Sequence, residues 1–169
     1  IHKGGVTLLV EMSSESEDDL SQKENKINSD LHHLGNNKTK ASFERGWRER
    51  EKIWSLRKGA FTISSKGKKV KASLITEDVV VPLNSLSKAI EDIEALLVKN
   101  NYEKIVFGHA LFGNLHLIFS VDFSDKSEKI KYDSFMKELF YIVIDKYKGS
   151  MKGEHGTGRN VSPFVEREW

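Results

Sequence analysis

The pattern of apolar and polar residues predicts a series of α-helices along the chain. The clearest pattern follows Pro82, where apolar residues recur at spacings of four, three and four between Leu86 and Leu97. Such spacing places them on one face of a helix. Asn84 or Ser85 is suited to cap its start, because either side chain can accept a hydrogen bond from a free backbone N–H. The predicted helices span Glu17–Leu34, Phe43–Gly59, the segment from Asn84 or Ser85 to about Leu97, and Tyr132–Tyr147.

Short apolar runs between these segments predict β-strands. The run ASLITEDVVV is rich in β-branched residues and ends at Pro82, which has no N–H to continue a strand ladder. Strands and helices alternate without the glycine fingerprint of a dinucleotide fold, so we expect an α+β fold with an antiparallel sheet and helices packed on one face. The predicted strands span Gly5–Met12, Ala72–Val81, Lys104–Phe107 and Leu115–Val121, with a polar loop at Asn36–Ala41, a solvated turn at Lys66–Lys71 and an irregular tail after Gly149.

Composition narrows the class of protein. The 169 residues have the size of a single domain, which we expect to span 1–169. The net charge of +2 is too small to indicate nucleic acid, and the basic run KGKKVK lacks interleaved aromatic residues. The absence of cysteine is compatible with the cytoplasm and leaves no thiolate ligand in this chain. No run approaches the ~20 apolar residues of a transmembrane helix, so we expect a protein that does not span a membrane.

Two histidines, His109 and His116, stand seven residues apart in FGHALFGNLHLIF. A regular strand would separate them by ~23 Å and a helix by ~10 Å, whereas the ligands of one metal ion lie within a few ångströms. They can share an ion only if Leu111–Asn114 forms a tight turn, for which Gly113 and Asn114 are suitable. The spacing alone leaves open the alternative of two structural histidines bonded to backbone.

Two further segments carry candidate groups with weaker signals. The glycines of MKGEHGTGR would let the backbone approach a ligand closely and present Glu154 and His155, although an exposed turn explains the same residues. Arg57 in WSLRKGAF is able to grip a carboxylate through two parallel hydrogen bonds, although a solvated helix end is the more common role. Neither segment defines a function by itself.

Taken together, these segments resemble the C-terminal domain of FAD-linked oxidases of the vanillyl-alcohol oxidase type. This family includes D-lactate dehydrogenase, D-2-hydroxyglutarate dehydrogenase and glycolate oxidase. The resemblance rests on four motifs in order: WSLRKGAF, LITEDVVVP, FGHALFGNLH and GSMKGEHGTGRNVSPFVEREW. It implies a ferredoxin-like α+β domain, and the form of the last two motifs is similar to large bacterial D-lactate dehydrogenases with a fused iron-sulfur module.

The resemblance also implies roles for particular residues. His109, His116 and Glu154 would bind a divalent metal such as Zn, Fe or Mn. Arg57 would bind the substrate carboxylate, with Asn114 lining the pocket. His155 would stand near the flavin as the catalytic base. The cofactor-binding residues for FAD are expected outside this chain.

We therefore expect the substrate and metal domain of an FAD-dependent D-2-hydroxy acid dehydrogenase, most closely one that oxidises D-lactate to pyruvate. The chain opens on Ile1 rather than methionine, so we expect a fragment, inactive alone, whose partners are the 2-hydroxy acid and an FAD-binding domain of the same polypeptide. An iron-sulfur cluster would lie in a missing region, and the enzyme would be cytoplasmic or peripheral at the inner membrane. Phe112 stands where many relatives have an acidic residue, and Thr76 replaces a lysine of hydroxyglutarate enzymes. Both changes disfavour that substrate. The alternatives are D-2-hydroxyglutarate dehydrogenase, a glycolate oxidase subunit, and a non-catalytic ligand-binding module.

Overall fold

The structure, a computed structural model, describes residues 6–33, 41–65, 72–156 and 158–169. The predicted turn at Lys66–Lys71 and the predicted loop from Asn36 to residue 40 lie outside this part of the chain. Contacts divide the chain into two compact units, Ile1–Leu56 and Arg57–Trp169. The extent of the domain in the whole protein stays a prediction.

The first unit contains helix α1, Glu17–His33, as the apolar spacing predicted. Its first turn carries acidic residues, which favour the positive end of the helix dipole. The apolar positions Leu20, Ile27 and Leu31 are only half-buried. The guanidinium of Arg45 contacts the carboxylates of Glu17 and Glu24, which fixes the segment after the helix against α1.

The strand predicted at Gly5–Met12 is wrong for the residues described. Val6–Met12 has no regular secondary structure, and the side chains of Val6, Leu8 and Val10 are more than half exposed. The physical reason is that β-branched and leucine-rich composition favours a strand only where a neighbouring strand accepts its hydrogen bonds.

Helix α2 spans Trp47–Ser65 rather than the predicted Phe43–Gly59. It begins where the N–H of Arg50 bonds to the carbonyl of Gly46. It continues past Gly59, because a single internal glycine costs a helix only about 1 kcal/mol. The predicted end of the helix at Gly59 was therefore wrong.

In the second unit, three antiparallel strands form a sheet in the order β1-β3-β2. The strands are β1 (Ser73–Val80), β2 (Val106–His109) and β3 (Asn114–Val121). The second strand begins two residues later than predicted. Strand β3 is the central strand, and its side chains are buried along most of its length. The alternation of the pleat sends every second residue of each strand to the same face.

Two helices cover one face of this sheet. Helix α3, Leu86–Lys99, follows β1 as predicted, after a 3₁₀ turn at Leu83–Ser85. Helix α4, Lys126–Phe140, begins earlier than the predicted Tyr132, because the Asp125 side chain accepts a hydrogen bond from the N–H of Ser127 and caps the helix. A π-helical turn, Tyr141–Lys146, follows it. The core between sheet and helices contains Ile75, Val79, Ile93, Leu97, Leu117, Phe119, Phe135, Leu139 and Phe140.

The described order β-α-β-β-α, with an antiparallel sheet and helices on one face, confirms the α+β class and forms most of a ferredoxin-like unit. The tail is more regular than predicted. It contains helix α5 (Gly158–Val161), a 3₁₀ turn (Ser162–Phe164) and helix α6 (Val165–Glu168). No helix in the described ranges combines the length and apolar character needed to cross a membrane.

Candidate metal centre

The β2–β3 hairpin places His109 and His116 on the sheet face opposite the helices. Strand β2 ends at His109, a 3₁₀ turn follows at Ala110–Phe112, and β3 begins at Asn114. His109 pairs directly with Asn114, two residues before His116 on the same side of β3. The two imidazole rings therefore meet edge to face, with their centroids 5.7 Å apart. The turn required by the seven-residue spacing is present.

Gly113 makes this turn possible. Its φ of +64° lies in the left-handed region, which glycine adopts without steric cost. A Cβ atom at this position would also overlap the carbonyl oxygen of Val81. The N–H of Val81 donates in turn to the carbonyl of Gly113 at 3.0 Å. The tip of the hairpin is thus fixed to the end of β1.

Glu154 reaches the histidines from the opposite edge of the sheet. Ser150 and Val80 exchange backbone hydrogen bonds of 2.8 Å, and the N–H of Gly153 donates to the carbonyl of Asp78. The chain therefore runs along the outer edge of β1 before it turns inward at Glu154. Glu168 of α6 anchors this run, because its carboxylate accepts hydrogen bonds from the Ser150 hydroxyl and the Met151 N–H.

The potential ligand atoms of the three residues lie close together. Oε1 of Glu154 is 3.0 Å from Nε2 of His116 and 3.4 Å from Nε2 of His109. Donor atoms about 2.1 Å from a tetrahedral ion are separated by about 3.4 Å, so these spacings suit one small divalent cation. Two imidazole nitrogens and one carboxylate oxygen are a donor set that Zn²⁺, Fe²⁺ and Mn²⁺ accept. The residues present therefore fit a divalent metal.

The position of His116 between two carboxylates is a second indication of a cation. Its ring is 4% exposed, with Nε2 facing Glu154 and Nδ1 3.3 Å from Oδ1 of Asp78. Burial lowers the pKa of His116 although both carboxylates oppose that shift. A neutral imidazole has only one N–H and cannot donate to both acids. A cation between Nε2 and Glu154 would remove this conflict.

The site is open on one side. The side chains of His109 and Glu154 are 46% and 50% exposed, whereas that of His116 is closed off by the protein. A small molecule can therefore approach from the side of His109 and Glu154. This combination of a buried ligand and an accessible coordination face is typical of catalytic rather than purely structural metal sites.

The structure brings the other predicted residues near the same face. The Arg57 guanidinium stacks on the ring of Phe107 with its carbon 4.8 Å from the centroid, and this ring lies 5.3 Å from that of His116. Asn114 is 5% exposed and donates to Asp78, while its buried Oδ1 has no hydrogen-bond partner among the described residues. His155 stacks on His116 with ring centroids 4.9 Å apart.

Asp78 is the site residue that the sequence did not identify. It lies directly opposite His116 in the β1–β3 register and is 6% exposed. Burial alone would raise its pKa, but hydrogen bonds from the His155 N–H and the Asn114 amide outweigh burial, and the pKa falls below its usual value. The available signal was an acidic residue inside an otherwise apolar strand, which is costly unless the acid has partners.

The family model for FAD linked oxidases, C-terminal domain, matches residues 2–169, and the chain belongs to this family. The names of its relatives refer to different acids. The chain is 31% identical to glycolate oxidase subunit GlcD of Bacillus subtilis over 98 residues, which cover 58% of this chain and 21% of that protein.

Two other relatives carry different names. A D-2-hydroxyglutarate dehydrogenase of Haemophilus influenzae is 33% identical over 109 residues, 64% of this chain and 10% of that protein. A D-lactate dehydrogenase of Anaerostipes hadrus is 30% identical over 88 residues, 52% of this chain and 18% of that protein. The chain thus matches between 10% and 21% of the length of these three relatives.

Proposed function

We propose that this chain is the substrate- and metal-binding domain of an FAD-dependent D-2-hydroxy acid dehydrogenase. The observation that carries the proposal is the meeting of His109, His116 and Glu154 on the sheet face opposite the helices, with ligand-atom separations of 3.0 and 3.4 Å from the shared carboxylate oxygen. Membership of the FAD-linked oxidase family supports the use of FAD. The donor set supports a divalent metal, which we assign to these three residues.

The chain's own residues supply binding and proton transfer. A divalent cation at this centre would lower the pKa of the substrate hydroxyl. Arg57, held on the face of Phe107 beside the centre, fixes the substrate carboxylate through paired hydrogen bonds. His155, whose side chain is 55% exposed, takes the hydroxyl proton as a general base. FAD, which another domain would hold, would supply the acceptor for the C2 hydride, so that oxidation would yield a 2-keto acid.

We propose D-lactate as the substrate, with pyruvate as the product. Lactate has a single carboxylate, for which Arg57 is sufficient. Hydroxyglutarate has a second carboxylate, and Thr76 stands where the resemblance places a lysine in the enzymes for that substrate. Thr76 lies in strand β1, opposite Ile118 of β3. D-2-Hydroxyglutarate and glycolate are the alternatives to be compared.

We extend the proposal to the rest of the enzyme. An FAD-binding domain in the same polypeptide, an iron-sulfur cluster outside this chain, and a cytoplasmic or peripheral inner-membrane location follow the family resemblance. The coding sequence on both sides of this chain tests the first two parts directly. Cell fractionation tests the third.

The test of the function is an activity assay on the FAD-containing enzyme that carries this chain. We expect reduction of an artificial electron acceptor with D-lactate, and a rate at least 100-fold lower in His116→Ala, because removal of a buried ligand opens the metal centre. His32→Ala, a change of an exposed histidine on α1, is the matched control. Equal rates in the two variants would count against the catalytic role. Faster turnover of hydroxyglutarate or glycolate than of D-lactate would change only the assigned substrate. If added metal did not raise the melting temperature, that result would favour the non-catalytic binding module.

A further inference from the structure

Asp78 connects three parts of the candidate metal centre. Its carboxylate accepts a hydrogen bond of 2.6 Å from the Asn114 amide on β3. The same carboxylate accepts hydrogen bonds of 2.7 Å from the backbone N–H groups of both Glu154 and His155. His116, the buried member of the proposed ligand set, faces it across the strand pair. One side chain on β1 therefore contacts the hairpin and the glycine-rich loop together.

The arrangement accounts for all the acceptor positions of this carboxylate. An ionised carboxylate has about four lone-pair positions, two on each oxygen. The two N–H groups of the loop occupy those of Oδ2, and the Asn114 amide occupies one on Oδ1. The remaining position faces Nδ1 of His116 at 3.3 Å. Asp78 thus accepts three hydrogen bonds within the protein and faces a fourth potential donor, so it is better suited to orient ligands than to bind an ion itself.

This position determines which nitrogen of His116 carries the proton. Nδ1 is shut off from solvent and has no hydrogen bond among the described residues. If Nδ1 were deprotonated, its lone pair would face a fixed carboxylate, which is repulsive. If it carries the proton, the Nε2 lone pair faces Glu154 at 3.0 Å instead. That is less costly, because the Glu154 side chain is 50% exposed and can be hydrated or can share an ion, whereas Asp78 is 6% exposed and held by hydrogen bonds. At 3.3 Å the contact is longer than the usual 2.9 Å, and we expect it to shorten once Nε2 is held by an ion.

Gly153 allows the glycine-rich loop to approach Asp78 closely. A Cβ atom at Gly153 would overlap the amide nitrogen of Asn114 and come within 2.5 Å of Oδ1 of Asp78. The loop can therefore approach the carboxylate closely enough to donate two backbone N–H groups only with glycine at this position.

We propose, on the basis of the metal function proposed above, that Asp78 is the positioning residue of the centre. Its carboxylate holds His116 in the Nδ1–H form, with the Nε2 lone pair toward the ion, and fixes the backbone from which Glu154 reaches that ion. Hydrogen-bonded carboxylates behind metal-binding histidines typically contribute 10- to 100-fold in metal affinity.

The experiment compares the wild-type chain with Asp78→Asn and Glu77→Gln. Glu77 is the neighbouring buried acid, and it faces the helices rather than the site, so Glu77→Gln is matched in position and chemistry. Zinc affinity is measured by competition with a chromophoric chelator. We expect Asp78→Asn to bind zinc 10- to 100-fold more weakly and Glu77→Gln to bind it within about twofold of wild type. If Asp78→Asn bound zinc as tightly as the wild-type chain, the proposed positioning role of Asp78 would be wrong.

A second measurement needs no metal, and its main readout is made on the wild-type chain. Nitrogen-15 NMR of the imidazoles in the metal-free wild-type chain at pH 8 reports which ring nitrogen of His116 carries the proton. We expect the Nδ1–H form, and a shift toward Nε2–H in Asp78→Asn. An Nε2–H form in the wild type would overturn the inference even if zinc binds. Absence of zinc binding in the wild type would instead refute the metal function, while the NMR result still decides whether Asp78 orients His116.

Discussion

Glu77 offers a quantitative test of the fold around the sheet. It is 2% exposed on the helix-covered face of β1, where its carboxyl accepts hydrogen bonds from Asn160 at 3.0 Å and, more weakly, from Tyr132 at 3.5 Å. Burial raises its pKa from 4.5 to about 7, since two neutral donors only partly replace the lost hydration. The folded state therefore holds the Glu77 proton more tightly than the unfolded state.

The sign and size of the effect follow from this difference. Below pH 4.5 both states are protonated and Glu77 has no influence on the pH dependence of stability. Between pH 4.5 and 7 the unfolded state loses the proton first, so the free energy of unfolding falls as pH rises. The total loss is about 3 kcal/mol, at about 1.4 kcal/mol for each unit of pKa. Above pH 7 the loss is complete and constant.

Glu77→Gln removes the ionisation while keeping an oxygen that accepts from Asn160. The added amide N–H costs about 1 kcal/mol if it stays without a partner, so we expect the variant to be more stable than wild type by about 2 kcal/mol at pH 8.5. At pH 5 we expect the advantage to disappear. Urea unfolding followed by circular dichroism at both pH values measures the change.

The comparison of the two proteins isolates Glu77 from other titrating groups. His116 titrates in the same range with the opposite sign, because its lowered folded pKa makes stability rise with pH up to about 6.5. That contribution is present in both proteins and cancels in their difference. Parallel stability profiles for wild type and Glu77→Gln would show that Glu77 is not buried as described.

Two further substitutions test the hairpin and the core. Gly113→Ala should weaken zinc binding at least tenfold in a chelator competition, because a side chain at φ +64° would meet the Val81 carbonyl and displace His109; unchanged affinity would contradict the described turn. Phe119→Ala should lower the free energy of unfolding by about 3–5 kcal/mol in urea, because a fully buried ring packed on Tyr102 and Phe135 is removed. A loss below about 1 kcal/mol would place Phe119 outside the core.

The sequence predicted those elements whose pattern was long and self-consistent. Helix α3 follows from its apolar spacing, and β3 from a mostly apolar run that is typical of a buried strand. The seven-residue spacing of His109 and His116 predicts a tight turn at Gly113 if the two histidines share an ion, and the structure has that turn. The association of Glu154 with the histidines came from family resemblance, since no local rule relates residues so far apart in sequence.

The remaining features depend on contacts that a sequence does not display. Glu77 and Asp78 looked like interruptions of a strand, yet the two-residue period sends one to the core and the other to the site, where each has its own hydrogen bonds. The run at Gly5–Met12 has strand composition but no strand partner in the described residues. The early start of α4 depends on a local cap by Asp125 that the apolar pattern does not reveal.

The most direct test of the central claim is the metal content of the purified chain. Wild-type protein and its His109→Ala, His116→Ala and Glu154→Gln variants would be stripped with a chelator, reloaded with zinc, desalted and analysed for bound metal, with the exposed His32→Ala as control. We predict about one zinc per chain in wild type and His32→Ala, and a large loss in each of the three site variants. Equal zinc content in all five proteins would contradict the assignment of the centre to His109, His116 and Glu154.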